Sequence, residues 1–273
     1  MFLRNCLLFL CFLVYFVTRA QQSVGARNLA IGTASVSLGD EWSYFSNPAA
    51  TIEVKKFKVA TSYTNQYLLQ ELQQQGAVVC IPMKKGLFSF GAQVAGQTLA
   101  KTTKIGIGYA LKLAEGLALG VNLNYHQFRI QNYANTSSLV ADAGIYYKIN
   151  PSVTWGCGVL GVSDHKTSIQ QEIFPIALRT GVNIQAANWL NCLVEVEHNT
   201  ALNFRIKGGV EYTPLSNLKL RLGSIVNEQT IAFGIGYCLK KQVYLDLGST
   251  WQQVLGWSPN VGLAYQFNKT TNE

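Results

Sequence analysis

The sequence predicts an all-β fold: an antiparallel transmembrane β-barrel of about fourteen strands, preceded by a separate N-terminal segment. Three observations predict it. Beyond about residue 55, the chain is a series of segments in which apolar and polar residues alternate. The connections between them are alternately very short and longer. Hydrophobic residues make up 48% and charged residues only 13%, with a mean hydropathy of +0.13, as expected when half of each strand faces lipid and half a polar interior.

Residues 1–20 have the pattern of a secretory signal peptide. Arg4 supplies the positive charge, residues 7–17 form an unbroken apolar run, and small residues around position 20 predict cleavage near Ala20. The run is too short to span a bilayer core of about 30 Å, so a retained anchor is not expected. Export past the inner membrane places the predicted barrel in the outer membrane of the cell. The predicted organisation is signal peptide 1–20, plug segment 21–54 and barrel 55–273.

Period-two alternation predicts each strand. In residues 86–96, for example, Phe88 and Phe90 share one face while Ser89 takes the other. Long alternating runs also cover residues 116–128 and 203–213. The segments are close to the length of about 9–11 residues that a tilted membrane strand requires.

The connections predict sidedness. The short set, expected at the periplasmic rim, comprises residues 84–86, 114–116, 150–152, 187–188, 214–216 and 240–241. The other set, expected at the cell exterior and mostly longer, comprises residues 64–75, 131–136, 163–172 and 249–259. Short turns inside and longer loops outside are typical of outer-membrane barrels. A soluble periplasmic β-protein, the alternative fold, predicts no such asymmetry.

No catalytic, metal or cofactor site is expected, and the protein is not predicted to be an enzyme. The histidines show no metal-ligand spacing, and residues 156–161, which match GxGxxG, lie within a predicted strand with no following helix. We interpret those glycines as keeping the lumenal side of the wall thin. The net charge of +8 is spread over strands and turns, which argues against a nucleic-acid partner. Four cysteines of the mature chain, expected to be unpaired, are Cys80, Cys157, Cys192 and Cys238.

Charged residues are predicted to line the lumen on four successive strands. By alternation they are Arg179, Glu195, Glu197, Arg205, Lys207, Glu211, Lys219 and Arg221. Acidic residues on one strand lie next to basic ones on its neighbour, and buried charges need partners. Two interpretations stay open: an ion-pair ladder that fills a narrow lumen, or a wall that anchors the plug or binds an anion. We expect Asp40 or Glu41 of the plug to lie near Arg205, Lys207 and Arg221.

Two predicted external loops carry apolar residues. They are Tyr67, Leu68, Leu69 and Leu72 in the first, and Trp251, Val254, Leu255 and Trp257 in the last. In a closed barrel the first and last strands are neighbours, so these loops flank one seam. They are expected to form an exposed patch for a partner or an apolar ligand, or to fold inward as a lid.

The last predicted strand carries an assembly pattern. Asn260, Gly262, Tyr265 and Phe267 follow the order polar, glycine, aromatic, aromatic, which resembles the C-terminal signal read by the β-barrel assembly machinery. The aromatic residues belong to the apolar, lipid-facing side. The expected partners are therefore outer-membrane lipid and this machinery, with the barrel itself monomeric.

The N-terminal segment resembles a known family. Residues 25–50 read GARNLAIGTASVSLGDEWSYFSNPAA, rich in small residues and ending in an Asn-Pro turn signal. This stretch is similar to the start of FadL-like barrels, most of all to the PorV/PorQ branch. The positions that carry the resemblance are Gly25, Ala26, Arg27, Asp40, Glu41, Asn47, Pro48 and Ala49. The resemblance implies a fourteen-stranded barrel with this segment in its lumen.

The resemblance also implies two functions. The PorV/PorQ branch implies a type IX secretion component that docks secretion-system or surface proteins through external loops. FadL itself implies a transporter of a small hydrophobic molecule, with the plug as gate. A lumen packed shut by charges and plug favours docking, whereas a continuous apolar tunnel favours transport.

Overall fold

The structure, a computed structural model, describes residues 23–163, 175–200 and 204–268. The predicted signal peptide and most of the predicted connection 163–172 lie outside these residues. None of the described helices is long and apolar enough to cross a bilayer.

Fourteen antiparallel strands form one closed barrel, which confirms the predicted fold class. The strands are β1 Lys58–Asn65, β2 Gln73–Pro82, β3 Gly86–Gly96, β4 Ala100–Ala114, β5 Leu117–Ile130, β6 Ala134–Asn150, β7 Val153–Val162, β8 Ala177–Ala187, β9 Leu190–Asn199, β10 Arg205–Leu215, β11 Leu218–Ile225, β12 Thr230–Leu239, β13 Val243–Gln252 and β14 Gly256–Gln266. Each pairs with its sequence neighbours, and β1 pairs with β14 along seven residues. Closure leaves no strand edge unpaired.

Alternation along each strand separates an apolar outer surface from a buried inner one. On β5, Leu119, Val121 and Leu123 are exposed on the outside, whereas Asn122 and Asn124 are buried inside. A row of exposed leucine, valine and isoleucine side chains on a barrel exterior is the surface that lipid covers. The faces predicted from the sequence are therefore those of the structure.

The two rims differ less than the sequence predicts. At the short-turn rim, successive strands are joined by three residues or fewer. At the other rim, the predicted loops 131–136 and 249–259 are wrong, because β5–β6 and β13–β14 are joined only by residues 131–133 and 253–255. The ladder continues through Trp251 and Trp257, which pair directly. Gly256 has a φ of 89°, which allows the tight turn there.

The lumen is occupied by the chain that precedes β1, which we call the lumenal segment (residues 23–54). It contains a short α-helix, Ala26–Ala30, and two 3-10 helices, Glu41–Phe45 and Pro48–Glu53. Residues 30–38 and 40–51 are all buried. Two further 3-10 turns, Gln66–Leu68 and Gln70–Leu72, lie between β1 and β2, and one, Val226–Glu228, lies between β11 and β12.

The barrel closes at the strand that carries the predicted assembly pattern. Asn260 and Gly262 face inward, while Tyr265 and Phe267 face outward. The amide of Phe267 donates to the carbonyl of Phe57 at 2.9 Å, and the Phe267 ring centroid lies 4.8 Å from that of Phe57 and 4.6 Å from that of Tyr265. This aromatic cluster lies at the end of the seam between β1 and β14.

Phe267→Asp is expected to block assembly. The substitution places a charge on the outward face, with a cost of up to about 2–4 kcal/mol near the bilayer midplane and less at the interface. It also removes the aromatic contacts at the seam. Heat-modifiable migration of protein extracted from outer membranes would measure the folded fraction, with Phe267→Tyr as a matched control expected to assemble normally. A mutant folded at wild-type levels would contradict the assembly role.

Candidate functional site: the occupied lumen

The barrel wall fits the lumenal segment through glycines. A Cβ atom placed on any of twelve inward-facing glycines would lie within 3.5 Å of an atom of the segment. They are Gly76, Gly91, Gly120, Gly144, Gly156, Gly158, Gly181, Gly209, Gly223, Gly234, Gly248 and Gly262. On Gly223, for example, it would lie 2.0 Å from the backbone nitrogen of Gly32. Gly156 belongs to the GxGxxG match and meets Val36, which agrees with its interpretation as a thin point of the wall.

The predicted plug motif positions the segment by local hydrogen bonds. Asp40 caps the first 3-10 helix, accepting from the Ser43 amide at 3.1 Å, and Ser43 Oγ accepts from the Asp40 amide at 3.0 Å. Asn47 caps the second by accepting from the Ala49 amide at 3.1 Å, and Pro48 occupies its first turn. The side-chain Nδ2 of Asn47 also donates to the wall, at the carbonyl of Ile145, at 2.9 Å.

The start of the motif is fixed by close packing. Gly25 has a φ of 98°, and a Cβ there would lie 2.5 Å from the ring of Trp42. Ala26 faces Gly262 of the last strand, with 3.2 Å between its Cβ and one placed on that glycine. Gly25 therefore lets the segment pack against its own Trp42, and the small side chain of Ala26 lets the segment approach the wall at Gly262.

One group of lumenal charges lies on β8, β9 and β10. Glu195 contacts Arg179 at 2.6 Å and Lys207 at 2.9 Å. Glu197 contacts Lys207 at 2.5 Å and Arg179 at 3.4 Å, and it also pairs with Arg205. All five side chains are buried. Alternation predicted that these side chains face inward. Pairing of β9 with both β8 and β10 then brings its two glutamates next to the basic residues of those strands.

The same group holds the lumenal segment. Glu195 accepts from the amide of Val36 at 2.8 Å. Arg179 donates to the carbonyl of Thr33 at 2.9 Å. The wall charges therefore satisfy backbone groups of the segment that have no regular secondary-structure partner.

A second group is centred on Glu211. Its carboxylate contacts Arg27 of the segment at 2.9 Å, Lys219 at 2.8 Å and Arg221 at 2.8 Å. Arg221 also contacts Asp246 at 2.5 Å. Glu211 is thus a buried acidic residue of the wall that holds a cation of the segment.

This geometry corrects the predicted contact of the acidic pair. Asp40 lies inside the barrel, but it contacts Arg27 of its own segment at 3.0 Å, and Glu41 contacts Lys58 at the start of β1 at 2.7 Å. The described ion pairs of Asp40 and Glu41 include none with the expected basic residues of β10 and β11. Those residues are already neutralised by acidic residues on adjacent strands.

Sequence reasoning missed a third group, on β4, β5 and β6. Asp142 contacts Lys104 at 3.0 Å and accepts from Asn124 at 2.8 Å. Asn124 in turn accepts from the Tyr44 hydroxyl of the segment at 2.7 Å. All four are buried. The same alternation that indicated the other charges would have placed Lys104 and Asp142 inside.

The described lumen is balanced in charge. Eight basic residues pair with eight acidic ones. The basic residues are Arg27, Lys58, Lys104, Arg179, Arg205, Lys207, Lys219 and Arg221, and the acidic ones are Asp40, Glu41, Asp142, Glu195, Glu197, Glu211, Glu228 and Asp246. Because each of these cations has an acidic partner, the wall favours holding the segment over binding an anion. No group of three or more His, Cys, Asp and Glu within the described ranges could hold a metal ion.

The connection between β1 and β2 covers part of the outer mouth. The amide of Tyr67 donates to Ser258 Oγ at 3.0 Å, and its hydroxyl donates to Gln252 at 2.8 Å. Burial raises the pKa of the Tyr67 hydroxyl still further above neutrality. Leu68 and Leu69, which follow it, are exposed by 60% and 54%. This connection therefore contacts the end of the seam while it presents leucines to the outside.

The predicted tryptophan loop is not a loop. Trp251 and Trp257 are paired strand residues, with ring centroids 6.4 Å apart, and Trp257 packs on Phe233 at 5.6 Å. Trp257, Phe233 and the turn residue Leu255 are exposed, and Leu72 across the seam is 36% exposed. Because Trp257 and Phe233 lie on the outward face near the rim, they match the aromatic girdle of a membrane barrel.

Comparison with solved structures relates this arrangement to known barrels. The toluene transporter TbuX of Ralstonia pickettii superposes with a TM-score of 0.70 at 8% identity, over 91% of this chain and 99% of that chain. The toluene transporter TodX of Pseudomonas putida gives 0.65 at 11% identity, over 89% and 96%. A FadL homologue of Pseudomonas aeruginosa gives 0.63 at 12% identity, over 90% and 99%. The chain has the fold of these FadL-like barrels. No protein-family model matches the sequence, and no curated protein matches it significantly.

Proposed function

We propose that this chain is an outer-membrane channel for a small hydrophobic molecule, with the lumenal segment as its gate. The observation that carries the proposal is the segment itself, fitted against twelve inward glycines inside a barrel of fourteen strands. Solved barrels of the same fold are described as toluene transporters and monoaromatic hydrocarbon channels. The proposal includes export of the chain by its predicted signal peptide and insertion of the barrel by the β-barrel assembly machinery.

Passage through this barrel requires the segment to move. Residues 30–38 and 40–51 are buried and contact the wall around its circumference. The segment is held by hydrogen bonds and ion pairs, which can exchange partners, and by packing against glycines, which adds no interlocking side chain. If the held state is more stable than the displaced state by only a few kcal/mol, a small fraction of the molecules is open at any time, and a ligand that binds the open state increases that fraction.

Tethering the segment is expected to stop transport. The variant that carries Ala26→Cys and Gly262→Cys can form a disulfide between segment and wall. The Cβ atom of Ala26 lies 3.2 Å from a Cβ placed on Gly262, a few tenths of an ångström shorter than the usual separation in a disulfide. In a variant without the four native mature cysteines, oxidation should abolish uptake of radiolabelled toluene into cells, and reduction should restore it.

The reduced protein is its own control for folding and assembly. Single-cysteine variants control for the substitutions themselves. Toluene uptake that is equal in the oxidised and reduced double variant would contradict a gating role for the segment. Uptake no greater than that of cells lacking the barrel would contradict the transport function as a whole.

A second candidate is a docking component of the PorV/PorQ type. Two observations favour it: the described lumen is filled by paired charges and the segment, and Leu68 and Leu69 are exposed at the outer rim. Exposed apolar side chains on a rim are typical of a protein interface. Docking of this kind needs no movement of the segment, so the tether would leave it unchanged. The oxidised tethered protein therefore separates the two functions.

A further inference from the structure

The fold collects basic charge at one rim of the barrel. Eight exposed lysines lie in or beside the short turns and the chain leading into β1, and only two glutamates, Glu53 and Glu115, lie there. The lysines are Lys55, Lys56, Lys84, Lys85, Lys112, Lys148, Lys240 and Lys241. At the opposite rim, the described residues include two exposed basic residues, Lys101 and Arg129, and one exposed acidic residue, Glu71. The ion pair between Arg205 and Glu228 also lies there and adds no net charge. The charge that looks dispersed in the sequence is therefore strongly one-sided.

These lysines border the apolar exterior. Met83, directly before the lysine pair of the β2–β3 turn, is 56% exposed, and Leu239, directly before that of the β12–β13 turn, is 46% exposed. Outward aromatic residues, including Phe57 and Phe267, lie at the same rim. A lysine just beyond such a band places its ammonium at headgroup depth while its stem stays against the apolar surface.

The β12–β13 turn keeps its lysines against local preference. Gln242 donates to the Leu239 carbonyl at 3.0 Å, and Lys240 and Lys241 have φ values of 50° and 57°. Two left-handed central residues define the hairpin turn that strongly prefers Asn-Gly, because side chains beyond glycine and asparagine are strained there. Backbone strain of this kind is common at functional sites, so the two lysines are candidates for a role in binding.

We propose that this rim binds the phosphate headgroups of anionic phospholipids in the leaflet that surrounds it. The lysines follow the rim from the β12–β13 turn, past the start of β1, to the β6–β7 turn, and the β8–β9 and β10–β11 turns carry none. An arc of this length fits a row of lipids better than one docked acidic protein. Lysine near a membrane surface attracts anionic lipid. The inference rests on the membrane barrel of the proposed function, but it requires no transport.

The test compares lipids at the barrel surface. Purified protein is placed in phosphatidylcholine vesicles, and the motionally restricted fractions of spin-labelled phosphatidylglycerol and phosphatidylcholine are measured. The wild type is expected to prefer phosphatidylglycerol, and less so at high salt. Lys240→Asn with Lys241→Gly should lower that preference by about two- to fivefold for lipids at this turn. The same variant should unfold at a higher urea concentration, because it relieves the strained turn.

Lys101→Gln with Arg129→Gln is the matched control, since it removes two positive charges from the opposite rim. It should leave the preference unchanged. Equal restriction of both lipids by the wild type, or an equal loss in the control, would overturn the proposal. Tight binding of polyglutamate by the detergent-solubilised protein, without lipid preference in vesicles, would assign the rim to an acidic polypeptide instead. None of these outcomes depends on toluene uptake, so the two proposals fail separately.

Discussion

Glu211→Gln is expected to destabilise the barrel by about 3–5 kcal/mol, the usual cost of removing one partner from a buried ionic group. The carboxylate is buried and is the shared partner of Arg27, Lys219 and Arg221. Its loss leaves an uncompensated cation between segment and wall. The urea midpoint, followed by heat-modifiable migration, would measure the loss.

Two further variants sharpen this measurement. Glu228→Gln is the matched control, because its side chain is 31% exposed and its single described partner is Arg205, so a smaller loss is expected. Adding Arg27→Met to Glu211→Gln removes the excess cation and should recover part of the stability. If Glu211→Gln unfolds at the wild-type midpoint, the Glu211 group does not hold the segment.

Gly223→Val is expected to expel the segment or prevent folding. A Cβ there would lie 2.0 Å from the backbone nitrogen of Gly32 and 2.1 Å from the carbonyl carbon of Ile31. Overpacking a well-packed interior costs about 1–3 kcal/mol, and backbone atoms cannot move aside as side chains do, so we expect the upper end or more. Limited trypsin digestion would report the exposure of Arg27.

Gly208→Val provides the matched control on the neighbouring strand. A Cβ on Gly208 has one atom within 4 Å, the Leu193 carbonyl oxygen at 3.9 Å, so folding and trypsin resistance should match the wild type. A Gly223→Val barrel that keeps both properties would show that the segment is not held where the structure places it.

The barrel could be predicted from the sequence because period two assigns each strand residue to a face. Alternation in residues 116–128 put Val121 outside and Asn122 inside, as the structure has them. Strand ends were less predictable, because they depend on pairing between strands. Trp251 and Trp257 look like loop residues in isolation, but they are opposite each other in the ladder.

The lumenal contacts also differ in how far the sequence could predict them. Pairs between adjacent strands, such as Glu195 with Lys207, follow from register and could be anticipated. The contact between Arg27 and Glu211 could not, because they are far apart in sequence and the path of an irregular segment has no period. Charge alone suggested that the acidic pair would contact the basic wall. Neighbouring strands had already neutralised that wall.

The glycine-lined fit also constrains how the chain assembles. The lumenal segment precedes β1, and the wall that surrounds it is complete only when β14 pairs with β1. The segment meets glycines on strands from β2 to β14, with its backbone nearest to the wall at Gly120, Gly156, Gly209 and Gly223 and its side chains at most of the others. Its contacts with Gly76 of β2 and Gly262 of β14, the two strands that flank β1, are complete only in the closed barrel, so docking of the segment and closure of the seam depend on each other.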